Sequence, residues 1–136
     1  MTSTEASAAR PAVDRLLDGV RVAIEPRAVP SDLPGVVSRG GLVVDIRPID
    51  LRERDGLIAG ALVVGRNVLE WRLDPTSPHR IPEVTGPDQE IVVVCDEGYA
   101  SSLAAATLRQ LGLHRATDLA GGFQAWRRTF TPEASR

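Results

Sequence analysis

Cysteine is nearly absent: among 136 residues a single one, Cys95, carries a thiol. A lone cysteine cannot make an internal disulfide, so a reducing compartment is its natural home and the free thiol needs its own explanation. Aromatic residues form only 4% of the chain, too few for a base-stacking platform. A marked excess of charge of one sign is missing as well. The 16 basic and 18 acidic side chains leave a net −2, without the field that gathers nucleic acid or an anionic membrane. Residues 1–10 are polar and small, with no apolar stretch of a signal peptide, and no run approaches membrane-spanning length. These absences predict a cytoplasmic protein with no nucleic-acid and no membrane partner. One cysteine and two histidines, His79 and His114, stand in no ligand spacing, which argues against a metal site.

What is present suits a globular fold. Hydrophobic residues make up 43% and charged residues 25%, ordinary values for a chain long enough to bury one core. The expected organisation is a tail at 1–10, one domain over 11–130 and a second tail at 131–136. A short helix is expected from Pro11, with Val13, Leu16 and Leu17 on one face and Gly19 closing it. Residues 20–24 alternate and read as an edge strand. Residues 30–39 read as a second short helix, capped by Ser31 and stopped by Gly40-Gly41. Apolar runs at 42–46 and 91–94 lack polar alternation and suit parallel strands buried on both faces; 61–64 is a third candidate and 116–119 a weaker fourth. A helix is expected over 102–111, with Ala104, Leu108 and Leu111 on one face, Gly112 as left-handed cap and Leu113 after it. Residues 73–90, with Pro75, Pro78, Pro82 and Pro87, read as a long ordered loop. Strands alternating with helices predict an α/β fold: an open, mostly parallel central sheet with helices on both faces.

The informative segment is Val94-Cys95-Asp96-Glu97-Gly98-Tyr99-Ala100-Ser101-Ser102. Cys95 sits at the carboxyl end of a strand, where open α/β sheets bind ligands. Gly98 permits the turn that must follow, and Ser101 and Ser102 are good helix caps. Backbone N–H groups of residues 96–101 would then surround the sulfur at a helix N-terminus and hold it as a thiolate. A lone cysteine is otherwise most often a small buried hydrophobe. The strand end, the glycine turn and the paired serines favour a reactive thiol.

With these residues in place, the chain resembles the single-domain rhodaneses, whose loop reads Cys-x-x-Gly-x-Arg-Ser. Three more motifs keep that family's order. Val43-Val44-Asp45-Ile46-Arg47 is similar to its strand ending Asp-x-Arg. Ile58-Ala59-Gly60-Ala61 resembles its Ile-Pro-Gly-Ala turn, and Gly121-Gly122-Phe123-Gln124-Ala125-Trp126 its Gly-Gly-x-x-x-Trp signature. The resemblance implies a sulfurtransferase needing no cofactor. Cys95 would take sulfur from a small sulfane-sulfur donor or a protein persulfide, carry it as a persulfide, and pass it to a thiol or other nucleophilic acceptor. Gly98, Ser101 and Ser102 would shape the loop, completed by Asp96, Glu97, Tyr99 and Ala100.

Three departures bear on that reading. Alanine stands at position 100 where the family's loop has arginine, Asp96 and Glu97 place carboxylates beside the thiolate, and Leu57 replaces a common histidine of architectural character. Carboxylates oppose an anionic sulfur by like-charge repulsion and repel thiosulfate, so poor thiosulfate activity is expected. Positive charge is sought instead in Arg66, Arg72, His79 and Arg80, with Arg66 and Arg72 the candidates for the pocket. Asp45 and Arg47 are supporting candidates, expected to fix loops by hydrogen bonding. Trp71 reads as a core or loop anchor, Phe123 and Trp126 as core, Tyr99 as a gate or cover, and His114 as exposed. A cysteine phosphatase needs an arginine six positions after its cysteine, where this chain has Ser101. The remaining rival is a non-catalytic rhodanese-like module for partner binding or redox sensing. The sequence carries no signal of oligomeric state.

Overall fold

Two β-branched runs form the centre of the sheet: β1, Leu42–Asp45, and β3, Ile91–Val94, lie side by side in parallel, Leu42 opposite Ile91 and Asp45 opposite Val94. The short β2, Leu62–Val63, flanks β1, and β4, Ala116–Asp118, flanks β3, giving the order β2-β1-β3-β4 with every pair parallel. The computed structural model describes residues 10–130, so the tails expected at 1–10 and 131–136 lie outside the described residues, Arg10 excepted. Arg10 pairs with Asp18 on the first helix.

Side chains alternate between two apolar clusters, one on each face of the sheet. Leu42, Val44, Ile91 and Val93 join one cluster; Val43, Val92 and Val94 join the other. The first face is covered by α1 (Ala12–Ala23), α4 (Leu69–Leu73) and α5 (Ala100–Gln110). The second is covered by α2 (Leu33–Ser38) and α6 (Gly122–Phe130). A further helix, α3 (Ile49–Asp55), follows β1 and buries no residue. The molecule is thus the α/β fold expected, with its sheet entirely parallel. Each fully buried aliphatic side chain contributes about 1.5–3 kcal/mol, so the run Ile91–Val94 alone anchors the centre of the molecule. No helix among the described residues is long and apolar enough to cross a membrane.

Several local expectations are corrected. Residues 20–24 are not a strand: α1 runs through Gly19 to Ala23. Leu17 and Ile24 are buried and Val20 packs against the cluster that holds Ile24, whereas Val13, Leu16 and Val22 face solvent. The same residues satisfy both periods, and packing of α1 on α5 outweighs the roughly 1 kcal/mol cost of a mid-helix glycine. Ser31 caps nothing. A 3₁₀ turn over Pro30–Asp32 precedes α2, and the Asp32 carboxylate accepts the Val29 N–H at 2.9 Å. Leu111 is largely exposed, while Gly112, at φ +93°, and buried Leu113 close α5 as expected. Trp71 is 58% exposed, because buried Leu69 and Leu73 occupy the opposite side of α4. The stretch after α4 is free of helix and strand until β3.

Candidate functional site

The chain leaves the central strand β3 at Cys95 and must reverse within five residues to enter α5. Gly98 makes this possible at φ +92°, and a Cβ there would stand 2.8 Å from the Gly121 nitrogen. The turn folds over the sulfur. The Gly98 N–H donates to Cys95 Sγ at 3.1 Å and the Ser101 N–H at 3.3 Å, so the sulfur takes the place of a helix cap. The thiol donates to Ser101 Oγ at 3.2 Å. Ser101 and Ser102 are not caps, because α5 begins at Ala100 and its first turn buries both. Their hydroxyls donate to Asp118 Oδ2, at the end of β4, at 2.7 and 2.8 Å. Of the six N–H groups expected around the sulfur, those of Gly98 and Ser101 are aimed at it.

The outer side of the turn forms one wall of a cavity of about 380 Å³. Cys95, Asp96, Glu97, Tyr99 and Ala100 line this wall; Ile46, Arg47, Pro48, Leu51 and Arg66 line the other. Most of that lining is apolar, and Tyr99, 58% exposed, stands at the mouth. Cys95 as a whole is buried, 8% exposed.

Charge at the cavity is largely paired off. Arg47 is buried and held by Asp45, with its Nη2 2.8 Å from Oδ2; its Nη2 also donates to the Gly56 carbonyl, and its guanidinium lies 3.7 Å over the Phe123 ring. Arg66 engages both oxygens of Glu70 at 3.0 Å. Asp96 accepts from Gln124 Nε2 at 2.9 Å and lies 3.8 Å from Arg54. Glu97 is exposed. Among the described residues no group of three or more His, Cys, Asp or Glu is placed to hold a metal ion.

Gln124 also donates to Asp55, linking the loop to the end of α3. The Asp55 carboxyl is held well below its ordinary value of 3.8, chiefly by the hydrogen bond from Arg54, against desolvation and with help from Gln124 and Arg127. A carboxyl depressed in the folded state contributes stability above its unfolded value, and that contribution is lost as pH falls. Urea midpoints measured near neutrality and at about pH 3 are therefore expected to differ less for Asp55→Asn than for the wild type. An unchanged difference would remove Asp55 from the acid response.

Residues 30–129 match the family model of the rhodanese-like domain. The chain belongs to that family. Over 110 residues it is 31% identical to thiosulfate sulfurtransferase GlpE of Ectopseudomonas mendocina, covering 81% of this chain and 92% of that one. A solved structure from Rhodopseudomonas palustris, described as a protein of unknown function and possible tyrosine phosphatase, superposes with a TM-score of 0.75 at 33% identity, covering 89% and 92% of the two chains. The human single-domain sulfurtransferase shares the fold at a TM-score of 0.63 and 24% identity, covering 76% and 96%.

Within this rhodanese-like frame the expected site residues divide into three groups. Cys95, Asp96, Glu97, Tyr99, Ala100, Arg47 and Arg66 meet at the cavity. Gly98, Ser101, Ser102 and Asp45 lie behind its wall, the first three in the turn and Asp45 under Arg47. Arg72 is not at the cavity: α4 directs it to the loop after it, where it donates to the His79 carbonyl at 3.2 Å. Arg80 folds back on the Ser77 carbonyl, and exposed His114 pairs with Asp88. Gly121 and Gly122 make the tight turn expected of them, at φ +76° and +62°, with Phe123 buried behind it and Trp126 packed at the edge of that cluster.

Four of the residues that escaped the sequence reading bear most on the loop and the cavity. Asp118 had a signal, an acid closing a strand just as Asp45 closes β1. Leu51 had a weaker one, an apolar residue in an otherwise charged helix. Arg21 and Arg27 had none, since they meet the loop across more than seventy residues of chain: both donate to the Gly98 carbonyl, at 2.8 and 3.0 Å.

Proposed function

We infer that the protein is a sulfurtransferase in which Cys95 carries sulfane sulfur as a persulfide. The observation that carries this reading is the pair of N–H donors, Gly98 and Ser101, aimed at a sulfur on the wall of a cavity. Donors so placed favour an anionic sulfur without a metal. The Cys95 thiolate attacks the outer sulfur of a donor R–S–SH, the donor's S–S bond breaks, and R–S⁻ leaves. An acceptor thiolate then attacks the outer sulfur of the Cys95 persulfide and restores the Cys95 thiolate. Bonds and charges balance with no cofactor, and covalent transfer splits one step into two.

The donor follows from the lining. Apolar Ile46, Pro48, Leu51 and Tyr99, paired arginines, and Asp96 and Glu97 fit an uncharged or cationic persulfide with a modest apolar group, or the cysteine persulfide of another protein. They do not fit the thiosulfate dianion, although the GlpE relative is a thiosulfate sulfurtransferase by name. A reducing compartment, the cytoplasm, suits this chemistry. A phosphatase finds no support in this chain, because Ser101 occupies the position of the phosphate-binding arginine.

The test is intact mass after incubation with thiosulfate, 3-mercaptopyruvate or a low-molecular-weight polysulfide, on the wild type and Cys95→Ser. Gain of one sulfur atom from the polysulfide is expected, little from thiosulfate, and none in the variant; a thiol or cyanide should remove it. Failure of the polysulfide and 3-mercaptopyruvate to add sulfur to an alkylatable Cys95 would favour a non-catalytic binding or redox-sensing module, the reading to which Ala100 gives most weight.

A further inference from the structure

Position 100, where the rhodanese-like pattern carries its loop arginine, holds alanine, yet two guanidinium groups reach the same loop from its rear. Arg21, on α1, donates through Nη2 to the Gly98 carbonyl at 2.8 Å and through Nε to Ser102 Oγ at 3.0 Å. Arg27, after α1, donates to the same carbonyl at 3.0 Å and grips Asp118 with two bonds of 2.8 and 3.1 Å. Both arginines precede residue 30, where the family match begins. Among the described residues Arg21 makes no salt bridge, while Arg27 pairs with Asp118.

We propose that Arg21 and Arg27, the latter anchored by Asp118, are positioning residues that supply, from behind the loop, the positive charge residue 100 lacks, and thereby favour an anionic sulfur on Cys95. The charges at the rear can be added directly. Arg21 and Arg27 bring two positive charges and Asp118 one negative, while Asp18, the acid on α1 that feels Arg21, is paired with Arg10; the network is thus one unit positive with a thiol at Cys95 and neutral with a thiolate or persulfide anion there. On the cavity side Arg47 is cancelled by Asp45, Arg66 by Glu70, and Asp96 faces Arg54 at 3.8 Å, leaving exposed Glu97 as the opposing charge. Water screens Glu97 more effectively than it screens Asp118, which is fully buried, and the half-buried arginines.

Proton accounting points the same way. Ser101 has one hydroxyl proton and gives it to Asp118, so its oxygen accepts the Cys95 thiol proton in the neutral state. When that proton leaves through the cavity to solvent, the Ser101 hydroxyl can turn to the sulfur. Asp118 remains satisfied by Ser102 and Arg27. The anion then has three donors: two backbone N–H groups and one hydroxyl.

This deepens the sulfur-carrier reading and depends on it for the anion's purpose, but the two are tested separately. The pH dependence of alkylation by iodoacetamide, together with thiolate ultraviolet absorbance, is measured on the full chain as wild type, Arg21→Gln, Arg21→Lys and Asp118→Asn. The midpoint is expected to rise by about one pH unit in Arg21→Gln, to stay near wild type in Arg21→Lys, and to fall in Asp118→Asn. Loss of packing alone would move the Gln and Asn variants in the same direction. An unmoved midpoint in Arg21→Gln, or a shared direction, overturns the proposal. Should Asp118→Asn not unfold cooperatively by circular dichroism, the Arg21→Gln and Arg21→Lys pair decides. Shifted midpoints without sulfur uptake by any variant would sink the sulfur-carrier reading while leaving the electrostatic one intact.

Discussion

Gly122→Ala is expected to lower stability by about 3 kcal/mol or more, roughly a 10 °C fall in Tm for a chain of this size, and to disturb Cys95 with it. Gly122 adopts φ +62°, where an L side chain costs about 1–2 kcal/mol. That is the smaller part. An added Cβ would stand 2.6 Å from the Cys95 carbonyl oxygen and 2.7 Å from the Asp96 carbonyl carbon and oxygen. These are backbone atoms at the root of the turn over the Cys95 sulfur and cannot swing aside as a side chain would. The same two carbonyls accept the second and third N–H groups of α6, Phe123 to Cys95 at 2.8 Å and Gln124 to Asp96 at 3.1 Å. Relief of the clash therefore separates α6 from the turn that holds the sulfur. Gly112→Ala is the control: its φ is +93° but a Cβ would meet nothing within 4 Å. It is expected to cost only about 1–2 kcal/mol, and to leave the alkylation of Cys95 unchanged. Equal losses in the two variants, by urea titration, would mean that close approach at Gly122 carries no weight.

The contrast between local and distant signals explains what the sequence could say. Ile91-Val92-Val93-Val94 and Leu42-Val43-Val44 have no polar alternation, so buried parallel strands were legible, and with them the position of Cys95 at a strand end. Gly98 was legible as a turn because the reversal leaves few alternatives. Residues 20–24 were misread because Val20, Val22 and Ile24 fit a strand while Leu17, Val20 and Ile24 fit a helix; the surface of α5 decides between them. Ser101 and Ser102 read as caps because serine near a helix start usually acts locally, and nothing nearby announces Asp118, seventeen and sixteen residues on. The arginines were sought after β2, in the segment 65–80. Of those only Arg66 reached the cavity, already engaged by Glu70, while Arg21 and Arg27 came from the N-terminal side through contacts that no periodicity encodes.

Asp45→Ala is the second change expected to be severe, at about 3–5 kcal/mol, because it strands a buried cation. Asp45 and Arg47 both have fully buried side chains. Asp45 accepts the Arg47 backbone N–H at 3.0 Å as well as Nε and Nη2, so one carboxylate fixes both the chain after β1 and the guanidinium. Without it Arg47 keeps the Gly56 carbonyl and the Phe123 ring, neither of which carries a compensating charge. Nη1 already lacks a hydrogen-bond partner among the described residues, so little else can absorb the loss. The pair itself is a poor source of stability, since removing two charges from water costs nearly what their attraction returns. Asp45→Leu combined with Arg47→Met is therefore expected to recover at least about half of the Asp45→Ala loss in urea titrations, roughly 1–3 kcal/mol. Arg47 also lines the cavity, and Phe123 beneath it donates its N–H to the Cys95 carbonyl. If the ion pair serves to hold that wall, the double variant should fold yet alkylate Cys95 with an altered rate. A double variant no more stable than Asp45→Ala would show that the guanidinium's packing on Phe123, and not its stranded charge, dominates the cost.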